Sequence, residues 1–112
     1  MNLKNKKILF VAQDPGGFNA LVNIIKATNK EFIISVLLAG KSVEFATKNK
    51  IKYINANKFT DKKLENFLFE YSPDIVVTGT SMGYSLEKKI ILMTKEKMIP
   101  TISLVDFWTN YE

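Results

Sequence analysis

Two aspartates, a pair of glycines and a short run of hydroxyls are the residues of this chain whose types and spacing suit chemistry. Asp14 stands in the segment Gln13-Asp14-Pro15-Gly16-Gly17, Thr80 and Ser81 follow Gly79, and Asp106 precedes Phe107 and Trp108. If the loops carrying them converge, Asp14 and Asp106 make a carboxylate pair suited to acid–base work. Gly16 and Gly17 let a ligand approach the backbone, and the helix N-terminus behind them favours an anion. The chain contains neither histidine nor cysteine. Ser-His-Asp and Cys-His catalysis, disulfides and thiolate or imidazole zinc sites are therefore excluded from within it.

Each candidate has a plainer alternative. The first segment is not G-x-G-x-x-G, because the third glycine is missing, and it lacks the Gly-Lys-Ser/Thr of a P-loop. A carboxylate beside a pyrophosphate is repulsive, so Asp14 suits a sugar hydroxyl or the role of base; it also reads as an ordinary turn residue. Gly79, Thr80 and Ser81 have the donors and acceptors to bind a polar ligand, and they equally describe a routine helix start capped by Ser81 or Ser85. Phe107 and Trp108 can stack on a sugar or nucleobase face, or they can be core or interdomain residues of a longer protein.

The elements that must position these residues alternate regularly. Lys7-Ile8-Leu9-Phe10-Val11-Ala12 is an apolar run that predicts a strand buried on both faces. From Phe18 the period changes: Phe18, Leu21, Val22 and Ile25 mark one helix face. Phe32 to Ala39 predicts a second strand closed by Gly40, with Ser42 capping a short helix. Ile51 to Ile54 predicts a weak third strand, and Thr60-Asp61 opens a helix with Leu64, Phe67, Leu68 and Tyr71 on one face that Ser72-Pro73 ends. Asp74 to Thr78 is the fourth strand. A helix from Ser85 to Lys97 turns Leu86, Ile90 and Met93 inward, and Thr101 to Val105 is the fifth strand. This β-α-β-α-β-α-β-α-β order predicts an α/β fold: a parallel sheet with helices on both faces. Right-handed crossovers give strand order 3-2-1-4-5. The ligand crevice of such a sheet lies beyond the carboxyl ends of the strands at the switch point, which brings the three candidate loops together.

Length and charge bound the rest. With 112 residues, 46% of them hydrophobic, the chain makes one domain over residues 1–112 with a real core. No apolar run approaches the roughly 18 residues of a membrane span, and Ile8 to Ala12 is too short for a signal-peptide core, so the default location is cytoplasmic. The net charge is +5, and all 16 basic residues are lysine. The absence of arginine argues against nucleic acid as a partner. Residues 1–63 carry 12 lysines against 4 acids, whereas residues 64–112 carry 4 against 7. That asymmetry reads as a solvated lysine-rich surface, with peripheral contact to an anionic membrane as the alternative.

Three stretches carry a family resemblance: Lys7 to Ala12 with its glycine-rich turn, Pro73-Asp74-Ile75-Val76-Val77-Thr78-Gly79, and Ile99-Pro100-Thr101-Ile102-Ser103. Together they resemble the N-terminal Rossmann-like half of GT-B-type glycosyltransferases and of the related UDP-N-acetylglucosamine 2-epimerases. The run Asp106-Phe107-Trp108-Thr109-Asn110-Tyr111 looks closer still to bacterial surface-polysaccharide biosynthesis proteins of that superfamily. The resemblance implies an acceptor-side half whose ligand is a sugar or nucleotide sugar. It would be completed by a C-terminal donor-binding domain and not be competent alone. It implies neither a metal nor another cofactor. The epimerases carry Gly-Asp-Thr after the fourth strand where this chain has Gly79-Thr80-Ser81, so the resemblance favours a glycosyltransferase-like role over epimerisation. The alternative is a non-catalytic binding or assembly module that docks a partner, or a second copy, through Phe107, Trp108 and Tyr111.

Overall fold

In the computed structural model, residues 6–13, 15–28, 30–79 and 86–103 are described. They form β1 (Lys7–Ala12), α1 (Pro15–Thr28), β2 (Ile33–Leu38), α2 (Ser42–Lys48), β3 (Ile54–Asn55), α3 (Asp61–Tyr71), β4 (Ile75–Thr78), α4 (Leu86–Glu96) and β5 (Thr101–Ser103). The sheet is parallel throughout, in the order β3-β2-β1-β4-β5. Both the order and the alternation are those expected from right-handed crossovers.

β1 is central, paired with β2 along its whole length and with β4 from Ile8 to Val11. Leu9, Phe10, Val11 and Ala12 have no exposed surface, as a strand covered on both faces requires. Side chains alternate between the faces. Ile8, Phe10 and Ala12 join Val36, Leu38 and Val77 under α1 and α2, which contribute Phe18, Leu21, Ile25 and Ala46. Leu9 and Val11 join Leu37 and Val76 under α3 and α4, which contribute Leu64, Leu68, Leu86 and Ile90. Burial of each such side chain stabilises the fold by about 1.5–3 kcal/mol before chain entropy is counted, so the two layers on β1 hold the molecule together.

Local signals set the helix ends. Thr60 caps α3 by accepting the Lys63 N–H at 3.1 Å, and Ser72 ends it in a left-handed conformation at φ 54°. α2 and α4 both close with paired reverse bonds. Lys50 N–H donates to Thr47 O and Ile51 N–H to Ala46 O, just as Met98 N–H donates to Lys95 O and Ile99 N–H to Thr94 O. The residue at the turn is left-handed in each case, Lys50 at φ 56° and Met98 at φ 58°.

That closure explains one correction to the sequence reading. β3 is Ile54–Asn55 rather than Ile51 to Ile54, because Ile51 is consumed in closing α2. Helix α1 also begins earlier than Phe18. Pro15 is its first residue, where the fixed φ of proline suits a helix and its missing N–H costs nothing. Ser42 is not a cap: the residue preceding α2 is Lys41, which makes no side-chain cap bond.

At the N-terminal edge of the sheet, Asp74 fixes the register of β4 against β1. Its Oδ2 accepts the Lys7 N–H at 2.7 Å, and its own N–H donates to Lys7 O at 2.9 Å. Lys7 Nζ donates to Tyr71 O at 3.2 Å, at the negative end of the α3 dipole. The Pro73-Asp74 motif is thus a register clamp at the end of the sheet opposite the carboxyl ends of the strands.

Candidate functional site

The carboxyl ends of the strands form a rim whose centre is Gln13, immediately after β1 at the switch between the two halves of the sheet. Its backbone carbonyl accepts the Ser42 N–H at 3.2 Å, at the start of α2. Its side-chain Oε1 accepts the Leu86 N–H at 2.7 Å, at the start of α4. One half-buried residue therefore ties together the helices that cover opposite faces of the sheet. It also satisfies one of the donors that every helix N-terminus leaves without an intrahelical acceptor.

The left side of the rim is built around Gly40. With φ at +60°, it takes a conformation that side-chain-bearing residues avoid. A Cβ there would lie 3.1 Å from both Gln13 Cγ and Gln13 O. Its N–H donates to Asn57 Oδ1 at 2.7 Å, while Asn57 N–H donates to Asn55 Oδ1 at 2.9 Å. The buried Ser42 hydroxyl donates to Ala39 O at 2.6 Å and also reaches Ala12 O at 3.2 Å. Instead of capping its helix, Ser42 joins the ends of β1 and β2.

On the right side, Gly79 follows β4 and donates its N–H to Val11 O at 3.1 Å. This extends the β1–β4 ladder and leaves the glycine as a place of close approach, with its amide already engaged. Thr78 and Ser103, at the ends of β4 and β5, share a hydrogen bond of 2.9 Å between their hydroxyls. Thr101 Oγ1 donates to Thr94 Oγ1 at 2.8 Å and ties α4 to β5. Glu87, in the first turn of α4, is 1% exposed. A carboxylate there is favoured by the helix dipole, and it places a buried ionisable group one residue from the Gln13–Leu86 bond.

Of the residues singled out from the sequence, Gly16 and Gly17 lie in the first turn of α1, and Gly79 lies on the rim next to β1. Asp14, Thr80, Ser81, Asp106 and Trp108 lie outside the described residues, as do Ser85, Phe107 and Tyr111. Gly40, Ser42 and Glu87 are parts of the rim that the sequence does not directly point to, and Gln13, which opens the first candidate loop, has a bridging role that it does not point to either. For Glu87 a signal existed: Glu87, Ile90 and Thr94 are spaced i, i+3 and i+7, on the buried side of α4. For Gln13 and Gly40 there was none, since their partners are remote in sequence. Among the described residues, no group of three or more acids forms a candidate metal centre, and no helix is long and apolar enough to cross a membrane.

The Gln13 bridge has a measurable consequence. Gln13→Ala removes the acceptor at the start of α4 and is expected to lower stability by about 1 kcal/mol, the usual effect of losing one N-terminal acceptor. Gln13→Glu keeps an oxygen there and should retain most of it. Thermal unfolding of both variants checks this; equal losses would show that the acceptor is not what matters.

No protein-family model matches the sequence, and no curated protein matches it. Solved structures do match. UDP-GlcNAc 2-epimerase from Neisseria meningitidis, crystallised with UDP-GlcNAc, superposes with a TM-score of 0.73 at 15% identity, over 88% of this chain and 32% of that one. A protein from Listeria monocytogenes assigned as a UDP-N-acetylglucosamine 2-epimerase gives 0.71 at 12% identity, over 89% and 30%. Glycinamide ribonucleotide transformylase 1 from Geobacillus kaustophilus gives 0.53 at 14% identity, over 88% and 56%. The chain thus spans about a third of the length of the two epimerase structures. At these identities the likeness is one of fold, and the transformylase shows that related folds serve other chemistries. The described chain has the Rossmann-like fold of one part of the UDP-GlcNAc 2-epimerases.

Proposed function

We propose that this chain is the acceptor-side domain of a glycosyltransferase-like protein in surface-carbohydrate biosynthesis, completed by a donor-binding domain. The observation that carries the reading is the rim at the β1–β4 switch, where Gln13, Gly40 and Gly79 gather backbone and amide groups beyond the strand ends. The fold likeness to sugar-nucleotide enzymes supports it. In this reading Asp14 and Asp106 are the catalytic carboxylates, and Gly16, Gly17, Gly79, Thr80, Ser81 and Trp108 contact the substrate. Trp108 offers the apolar face that a sugar ring stacks on. The engaged amides at Gly40 and Gly79 favour a neutral, hydroxyl-rich ligand over a phosphate, which would need free N–H donors.

The test is an amide chemical-shift titration of the protein with a panel of mono- and disaccharides, and separately with UDP. Sugars are expected to move the amides of Gln13, Gly40, Asn57 and Gly79, with UDP alone leaving them in place. If no saccharide perturbs these residues, or if UDP perturbs them most, the acceptor-side reading is wrong.

A further inference from the structure

The cleft that stands out lies away from the rim, at the opposite end of β2. β2 is paired with β1 over six residues but with β3 only at Leu37 and Leu38. The chain before β3 cannot zip onto the rest of β2, because Lys50 and Ile51 are turned back to close α2. Between that turn and β2 a cleft of about 370 Å³ remains, within the range of about 300–1,000 Å³ typical of small-molecule sites.

Its walls have two characters. Ile25 and Val36, each 3% exposed, form an apolar floor with Ile34 and Ile51. Three exposed lysines, Lys26, Lys50 and Lys52, stand around it, and no carboxylate is among the lining residues. Backbone parity adds donors. Ile33 N–H and Ala39 N–H donate to β1, so the odd residues of β2 face that strand, whereas Leu38 O accepts from Ala56 on the β3 side. The peptide groups of Ile34 and Val36 therefore point toward the side where the cleft opens.

We propose that this cleft binds a single-chain amphipathic anion, with its acidic head among Lys26, Lys50 and Lys52 and its apolar stem against Ile25, Ile34 and Ile51. Three cations with no carboxylate among the lining residues complement a negative head. A purely polar anion would leave the apolar floor unused, and an uncharged chain would gain nothing from the lysines. The site is separate from the rim, so sugar binding at Gln13 and anion binding here stand or fall independently.

The experiment is an amide-shift titration of the protein with decanoate, alongside inorganic phosphate, decanol and phosphatidylglycerol vesicles. Decanoate is expected to give saturable shifts centred on Ile25, Ile34, Val36 and Ile51, with phosphate and decanol each at least tenfold weaker at the same residues. The triple variant Lys26→Gln/Lys50→Gln/Lys52→Gln, exposed at every position, should bind decanoate at least tenfold more weakly with an unchanged amide spectrum. The proposal is overturned if decanoate shifts map elsewhere, if the triple variant binds as well as the parent, if phosphate alone binds as tightly, or if the protein binds vesicles but not free decanoate.

Discussion

Replacing Phe10 with alanine is expected to destabilise the protein by about 3–5 kcal/mol, the range for truncating a fully buried aromatic side chain. Phe10 has no exposed surface and lies at the middle of β1, opposite Val36 of β2 and Val77 of β4. Its side chain belongs to the layer under α1 and α2, beside buried Phe18 and Leu21. A close-packed site on the central strand cannot collapse around the void without moving a helix, so the cavity contribution adds to the lost transfer energy. Domains of this size have total stabilities of about 5–15 kcal/mol, and the substitution removes a large share. Ile102→Ala is the matched control. Ile102 is 48% exposed on the edge strand β5, and its truncation should cost less than about 1 kcal/mol. Urea unfolding of both variants, with midpoints compared at constant m, decides it. A Phe10→Ala loss no larger than that of Ile102→Ala would contradict the packing of β1.

Gly40→Val is expected to have the second-largest effect, about 2–5 kcal/mol, from two additive causes. A left-handed φ costs a side-chain-bearing residue about 1–2 kcal/mol, and crowding of a packed position adds about 1–3 kcal/mol. The crowding arises from Gln13, whose Cγ and carbonyl oxygen both lie 3.1 Å from the position of a Cβ. The Gln13 Cγ can swing aside, whereas its carbonyl, held by the Ser42 N–H, cannot without disturbing the start of α2. Gly40→Ala should be the milder change, since it lacks the second branch. The distinguishing readout is positional: amide shifts should spread from residue 40 to Gln13 and Leu86, because Gln13 is the link to α4. If Gly40→Val matches the parent in stability, or its shifts stop at β2 and α2, Gln13 does not couple the two halves of the rim.

The same coupling bears on the proposed function. Any acceptor that binds over the switch point rests on a residue already engaged by both halves of the domain, so a change at Gly40 or Gln13 is felt where the candidate loops leave the sheet. At a topological switch helices leave to opposite faces of the sheet, and here one glutamine is bonded to the starts of α2 and α4, one on each face.

The amino-acid sequence by itself determined the element order, the burial of β1, the helix faces and, through the handedness of crossovers, the strand order. Each depends on short-range periodicity or on a general chirality rule. The apolar run Ile8 to Ala12, the i, i+3, i+4, i+7 spacing of Phe18, Leu21, Val22 and Ile25, and the Thr60 and Ser72 helix ends are local signals of this kind. Tertiary structure decided what each polar residue at the rim does. Gln13 reaches Leu86 across 73 positions, Gly40 meets Asn57 across 17, and Ser42 reaches Ala12 across 30. No local pattern encodes such pairings, because they arise only when the sheet brings distant strand ends together. The lysine-rimmed cleft has the same origin. Its residues come from α1, β2 and the turn after α2, and in sequence they were only an excess of lysine and three separate apolar stretches.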